Sequence, residues 1–278
     1  MIPGVFARAS RARPAGPALA GAVLVALAVA VAFPGLLTGR DPAVTDLTAA
    51  LSPPGAGHLF GTDELGRDVL ARVVYGARTS LLIGIGATVL GALGGTVIGL
   101  VAAAGGRRVD QALMRLLDVA LAVPELLLAL VIVAFTGTGT ANVLVAVGLA
   151  AVPNYARVVR GQALVAVRSG YAEAAIGLGT PWPVIVLRHV LPNVAGPLLL
   201  LATTGTGTSI ISGSALSFLG LGPEPPAVEW GAMLADGREN LAVAWWPGVF
   251  PGLAVVAVVM SVTVVGRWLQ ARAEGRTA

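Results

Sequence analysis

Two acids sit inside otherwise apolar sequence. Asp118 and Glu125 are seven positions apart within Leu116–Phe135, a spacing that puts both near one face if the run is a single helix. Acids inside a membrane run face a partner or water and are candidates for function. Hydrolysis inside a membrane needs a paired acid or a Ser/His arrangement. These two acids are the only loose candidate, and they lack the Gly-Asp type of surroundings such a site needs. At the bilayer centre each acid opposes insertion by about 2.5–3.5 kcal/mol, and each Leu, Val or Ile favours it by about 0.3–0.6 kcal/mol. With twelve such side chains in the run the sums nearly cancel, so at least one acid must lie near an end or face a partner or water. Asp118 is expected to pair with Arg115 or Arg107. Glu125, directly after Pro124, is the candidate for the pathway.

A second polar string, Thr203-Thr204-Gly205-Thr206-Gly207-Thr208-Ser209, is followed by Ser212 and Ser214. Hydroxyls and glycines at this density suit either a wet path or close helix contacts, because hydroxyls can bond back to helix carbonyls. Thr204, Thr208 and Ser212 are the pathway candidates, and both readings stand. A third polar island, Tyr171 to Gly179, lies between long apolar runs. Ser169 or Gly170 can begin a helix there, Ala172 to Ala175 favours one, and Gly179 can close it in a left-handed cap. Pro181 and Pro183 then break the chain. Glu173 stands near the positive end of that helix, and Ala174 and Ala175 are small enough for a partner surface to come close. An ordinary interfacial helix would show the same residues.

The elements that must position these residues are membrane helices. Hydrophobic residues make up 56% of the 278, charged residues 12%, and mean hydropathy is +0.86. A crossing needs about 20 mostly apolar residues. Six runs qualify: Ala18–Leu37, Ser80–Ala104, Leu116–Phe135, Gly139–Ala156, about Val190–Ile211, and Pro247–Gly266. The expected fold is an all-α polytopic membrane protein of about six transmembrane helices. Its expected divisions are a cytoplasmic tail (1–17), a first span (18–37), an external segment (38–79), a core (80–266) holding the polar island at 170–179, and a cytoplasmic tail (267–278). An Arg-rich start before an Ala/Val/Leu run also resembles a signal peptide, but the run is long enough to stay as an anchor. Leu65, Val69, Val73 and Gly76 recur near helical spacing, which predicts an amphipathic interfacial helix before the second span. Gly220–Trp230 is expected to form a folded loop. Gly91, Gly95 and Gly99 set small residues on one face of the second span, where a neighbouring helix can approach closely.

All 18 basic residues are arginine. Without lysine the chain has no Walker-type phosphate loop, and without cysteine it has neither a disulfide nor a thiolate metal site. The net charge of +4 fits basic loops at a membrane better than nucleic acid. With the N-terminus inside, 13 arginines fall on the cytoplasmic side and 5 outside. An even number of spans then puts both termini in the cytoplasm.

Glu173-Ala174-Ala175, Gly179 and Leu191-Pro192 together resemble the coupling-helix motif of ABC importer permeases. His189 departs from the usual Ile, yet His is familiar there in the dipeptide/oligopeptide/nickel branch, which marks it as a packing residue. The strings Tyr155 to Gln162 and Arg188 to Asn193 resemble the same branch. Gly61-Thr62-Asp63-Glu64-Leu65-Gly66-Arg67-Asp68, Ala215 to Gly222 and Trp230 to Leu234 resemble its second, C-type permease. Gly213 departs from a common Glu, and Val152-Pro153 from a Trp-containing turn.

The resemblance implies a type I importer permease fold in the bacterial inner membrane, with no catalytic residues, cofactor or metal of its own. It implies a homologous second permease, two P-loop ATPases that use ATP and Mg, and an external solute-binding protein. The docking residues would be Tyr171, Glu173, Ala174, Ala175, Gly179, Leu191 and Pro192. The external family motif would be Gly61, Thr62, Asp63, Gly66, Arg67 and Asp68. Short peptides are the leading solute and nickel or its chelate the second, with opines, glycosylated peptides and oligosaccharides behind them. A channel or structural membrane protein is the reading from another class.

Overall fold

The computed structural model describes residues 15–273, and the outermost parts of both tails, with Arg8, Arg11, Arg13 and Arg276, lie outside them. The chain runs α1 (Ala15–Ala32), α2 (Pro34–Leu37), α3 (Val69–Ala104), α4 (Gly106–Leu121), α5 (Glu125–Thr136), α6 (Thr140–Val167), α7 (Gly170–Gly177), α8 (Trp182–Ile185), α9 (Leu191–Leu216), α10 (Trp230–Glu239) and α11 (Trp246–Ala273). Single π-turns at Val186–Val190 and Ser217–Leu221 extend α9 at each end. Among the described residues the isolated strand pairing is one bridge between Thr62 and Asp68.

Four helical stretches are long and apolar enough to cross a membrane: Val69–Ala104, Thr140–Val167, Trp182–Leu221 and Trp246–Arg272. The bent pair α4 and α5 makes a fifth if it counts as one span. The six expected runs thus correspond to these four helices, the bent pair and the shorter apolar helix α1.

The third expected span is broken. Pro124 holds extended backbone (φ −53°, ψ 133°), Val123 precedes it at a position where helical geometry is disfavoured, and α4 meets α5 at 91°. Asp118 and Glu125 thus stand on different helices and share no face. The first span also stops early, at Ala32, because Phe33 before Pro34 leaves helical geometry (φ −135°, ψ 62°).

The separate interfacial helix does not exist. Asp68 caps α3 by accepting from the Ala71 amide at 2.9 Å, and Val69, Ala71, Val74 and Ala77 are already buried inside the long helix. With 36 residues, α3 spans about 54 Å, well beyond a hydrocarbon core of about 30 Å. Its first turns stand outside the apolar layer, packed on Trp230 and Met233 of α10 and on α11.

The expected close approach at Gly91, Gly95 and Gly99 occurs between α3 and α6. A Cβ on Gly95 would lie 2.3 Å from Tyr155 Cβ and 2.8 Å from the Ala156 nitrogen; one on Gly99 would lie 2.7 Å from the Ala156 oxygen. A side chain larger than hydrogen must drive the helices apart, which costs about 1–3 kcal/mol in a packed core. Gly95→Leu is therefore expected to lower the thermal unfolding temperature in detergent. Gly161→Ala, with open space around it, should leave that temperature unchanged or raise it.

Candidate functional site

The polar island forms α7, and its ends are defined by backbone chemistry. The Ala172 and Glu173 amides both donate to the Ser169 carbonyl at 3.0 Å. Gly179 takes φ +76°, and the Thr180 amide donates across it to the Ala175 carbonyl at 3.0 Å. That bond is the six-to-one closure of a Schellman cap, which needs a left-handed residue at the position of Gly179. Pro181 follows and prevents the helix from resuming.

Two ties join α7 to the helix that follows. Asn193 Nδ2 donates to the Tyr171 hydroxyl at 2.9 Å and to the His189 carbonyl at 2.6 Å. The rings of Tyr171 and His189 lie 5.7 Å apart, so His189 packs on the hairpin. Beneath it Ile185, Val190 and Val194 pack with Val159, Ala163 and Ala166 of α6, joined by Ala175 and Trp182. Ala172 is fully buried, while Glu173, Ala174 and Gly179 face outward. Leu178 (86% exposed) and Leu187 (66% exposed) are large apolar side chains beside them. The hairpin is thus one packed unit whose outer surface combines small and apolar residues with Glu173 and Arg188. Leu191 and Pro192 open α9 within the same unit.

The pathway candidates divide. Glu125, Thr204 and Thr208 line one cavity of about 370 Å3, together with Asn154, Tyr155, Arg157 and Gly205. Ser212 is not on its wall. Asn154 Nδ2 donates to Glu125 Oε2 at 3.3 Å. Asp118 pairs with Arg157 at 2.5 Å rather than with Arg115 or Arg107, because the bend at Pro124 lays the end of α4 beside α6. Asp110 and Arg160 form a second α4–α6 pair, with Nη2 to Oδ2 at 2.6 Å.

The hydroxyl string makes helix contacts and also borders the cavity. Thr204 and Thr208 donate to the Leu201 and Gly205 carbonyls at 3.0 and 2.8 Å and still border the cavity. Ser209 also lines the cavity, and its Oγ accepts from Thr88 on α3 at 3.2 Å, while Gly207 packs on Val259 of α11. Asn154, Tyr155 and Gly205 are cavity residues that the sequence reading passed over. The available signal was two polar side chains, Asn154 and Arg157, within an otherwise apolar run.

The motif at 61–68 is a folded knot. Gly66 (φ +73°) passes so close to the Asp46 carbonyl that a Cβ would lie 1.7 Å from its oxygen. Asp63 Oδ1 accepts from the Leu65 and Arg67 amides at 2.9 Å. Its Oδ2 meets Arg67 Nε at 2.6 Å and Arg72 Nη1 at 3.4 Å. Trp246 Nε1 donates to the Thr62 carbonyl at 2.9 Å, which fastens the knot to α11 beside Gly61. Asp68 Oδ2 also meets His58 Nδ1 at 2.8 Å. Near the same end, burial holds the Asp236 carboxyl above its usual range while Arg72 pulls it down.

Glu229 is a further residue the sequence reading missed. It is 1% exposed, caps α10 by accepting from the Ala232 amide at 3.0 Å, and accepts from Ser80 Oγ at 2.8 Å. Its place immediately before the helix-forming Trp230-Gly231-Ala232 was the legible signal.

A bundle of long apolar helices, with a short capped hairpin and a cavity bordered by Glu125, Asn154 and two threonines, makes this a polytopic membrane protein. Residues 95–278 match the family of binding-protein-dependent transport system inner membrane components, and the chain belongs to that family. It is a multi-pass inner-membrane permease of a bacterial ABC importer, the non-catalytic membrane part of such a system.

The dipeptide transport system permease protein DppC of Alkalihalophilus pseudofirmus is 38% identical over 254 residues, covering 91% of this chain and 84% of that protein. A putative peptide transport system permease of Brucella suis is 40% identical over 248 residues, covering 89% and 83%. The glutathione transport system permease protein GsiD of Escherichia coli is 41% identical over 217 residues, covering 78% and 72%. The fold is shared with a chain in a crystal structure of an amino acid ABC transporter with histidines, at TM-score 0.57 and 15% identity over 72% of this chain and 94% of that one.

Asp63 neutralises two arginines at once, and Arg72 is 7% exposed. Removing one partner of a buried pair costs up to about 3–5 kcal/mol, and here Asp236, 3.7 Å from Arg72, is the acid that remains beside it. Asp63→Ala is expected to lower the unfolding temperature of the purified protein by far more than Glu64→Ala, whose side chain is exposed.

Proposed function

We propose that this chain forms half of a translocation pathway for short peptides and transmits ATP-driven motion to it through α7. The observation that carries the coupling role is the hairpin itself. Glu173, Ala174 and Ala175 lie on a helix closed by Gly179 and bonded through Tyr171 and Asn193 to the start of α9. A push on α7 is therefore delivered to α9, whose further course borders the cavity.

In this reading a homologous permease completes the pathway and two P-loop ATPases dock on the paired hairpins. Those ATPases use ATP and Mg, while this chain binds no cofactor or metal. An external binding protein delivers the solute, and nucleic acid has no part. Both termini lie in the cytoplasm, in keeping with the excess of arginine on that side. Glu125, Thr204 and Thr208 border the solute path. The dipeptide, peptide and glutathione transport systems named for the relatives support a short peptide as solute. Nickel import by the same machinery is the second reading, and it is decided by which ligand the co-encoded binding protein retains.

Purification from native membranes in mild detergent should recover the second permease and the ATPases with this chain. Recovery of this chain alone would favour a channel or structural role. Glu173→Arg puts a like charge at the positive end of α7, and Gly179→Pro cannot reach φ +76°. Both variants are expected to remain in the membrane with peptide uptake reduced at least about tenfold, the equivalent of about 1.4 kcal/mol in coupling. Unchanged uptake in both would remove the docking assignment.

A further inference from the structure

The cavity between α5, α6 and α9, at about 370 Å3, is within the range of small-molecule sites, about 300–1,000 Å3. Its polar groups are rich in acceptors. Glu125 brings two carboxylate oxygens, of which Oε2 receives one hydrogen bond, from Asn154 at 3.3 Å. Among the described residues no basic side chain forms an ion pair with it. Arg157, the cation on the same wall, is already held by Asp118.

Tyr155 is 3% exposed, and its hydroxyl is buried with no hydrogen-bond partner. A Cβ on Gly205 would lie 2.0 Å from that hydroxyl, so glycine at this position is what leaves room for the phenol. The Thr204 and Thr208 hydroxyls spend their protons on carbonyls of their own helix, which leaves oxygen lone pairs as their remaining capacity. A half-buried carboxylate with a single hydrogen-bond donor keeps the capacity to take a counter-charge. The group that fits an acid, a free phenol and spare hydroxyl acceptors is a cation with several donors, and a primary ammonium has three.

We propose that this cavity receives a primary ammonium group of the transported solute, with Glu125 as its counter-ion and the Tyr155 hydroxyl as a second contact. The inference rests on the peptide-import reading and deepens it: the group is the free amino terminus of a short peptide. Asn154 holds the carboxylate in place, and the Asp118–Arg157 pair keeps the neighbouring cation from neutralising it.

The test uses the complete transporter in proteoliposomes, with both permeases, the ATPases and a binding protein saturated with peptide. Uptake is compared for one labelled tripeptide with a free amino terminus and for its N-acetylated form. Glu125→Gln is expected to slow the free-amine peptide at least about tenfold relative to the acetylated one, the loss of a charge-assisted contact. Glu125→Asp should restore most of that difference. Tyr155→Phe, which removes one oxygen and keeps the packing, should give a smaller shift in the same direction, and it stands as the readout if Glu125→Gln fails to assemble.

Equal slowing of both peptides by Glu125→Gln would overturn the inference and assign Glu125 to a partner within the complex, such as a basic side chain of the second permease. Unchanged uptake of both would overturn it as well. Either result leaves peptide import standing. Failure of the wild-type complex to import either peptide, with import of another solute, would remove the peptide reading and this inference together.

Discussion

The separation of α3 and α6 is the constraint on which the rest of the bundle depends. In a membrane the hydrophobic effect does not press helices together, so close packing of small residues must do it. Gly91, Gly95 and Gly99 let α6 lie directly on α3, with Tyr155 and Ala156 filling the space that side chains would otherwise occupy. That placement buries Tyr155 and turns its hydroxyl toward α9, where Gly205 yields the matching space. The cavity wall is therefore a consequence of helix packing. One glycine face seats the aromatic ring, and a second glycine on another helix receives its polar tip.

The two ends of the molecule are organised by different chemistry. At the end that holds the motif at 61–68 and α10, polar groups are numerous and the carboxylates are paired. Asp63 pairs with Arg67 and Arg72, Asp68 caps α3, and Glu229 caps α10 while it accepts from Ser80 of α3. Each of these carboxylates has several donors, the condition under which buried charge is tolerated. The opposite end, at α7, has a small buried anchor and an outward surface of small and apolar residues with a single acid. A network closed on itself holds shape, whereas a surface with unspent contacts is suited to a partner.

Much of this was legible before any coordinates. Composition required a helical membrane protein, and the arginine-only basicity without lysine removed a nucleotide-binding loop. The island at 170–179 carried its own start and stop signals, because an N-terminal Ser/Gly, an alanine run and a Gly followed by Pro act through local backbone geometry. Gly91, Gly95 and Gly99 announced a close helix contact for the same reason. What failed were statements that treated apolar length as helix continuity. Leu116–Phe135 is apolar throughout except for its acids, yet Pro124 turns it through 91°. Val69–Ala104 changes composition near Ser80, yet it is one helix.

The sequence by itself determined the membrane class and the capped hairpin at 170–179, because hydropathy, capping and turn chemistry are properties of neighbouring residues. Tertiary structure alone decided which of those residues meet. It took Asp118 from Arg115 and gave it to Arg157, brought Glu125 to Asn154 and Tyr155, left Ser212 outside the cavity, and made the motif at 61–68 a knot around Asp63. These are contacts between helices distant in sequence, and they depend on bend angles and helix separations that no local pattern encodes.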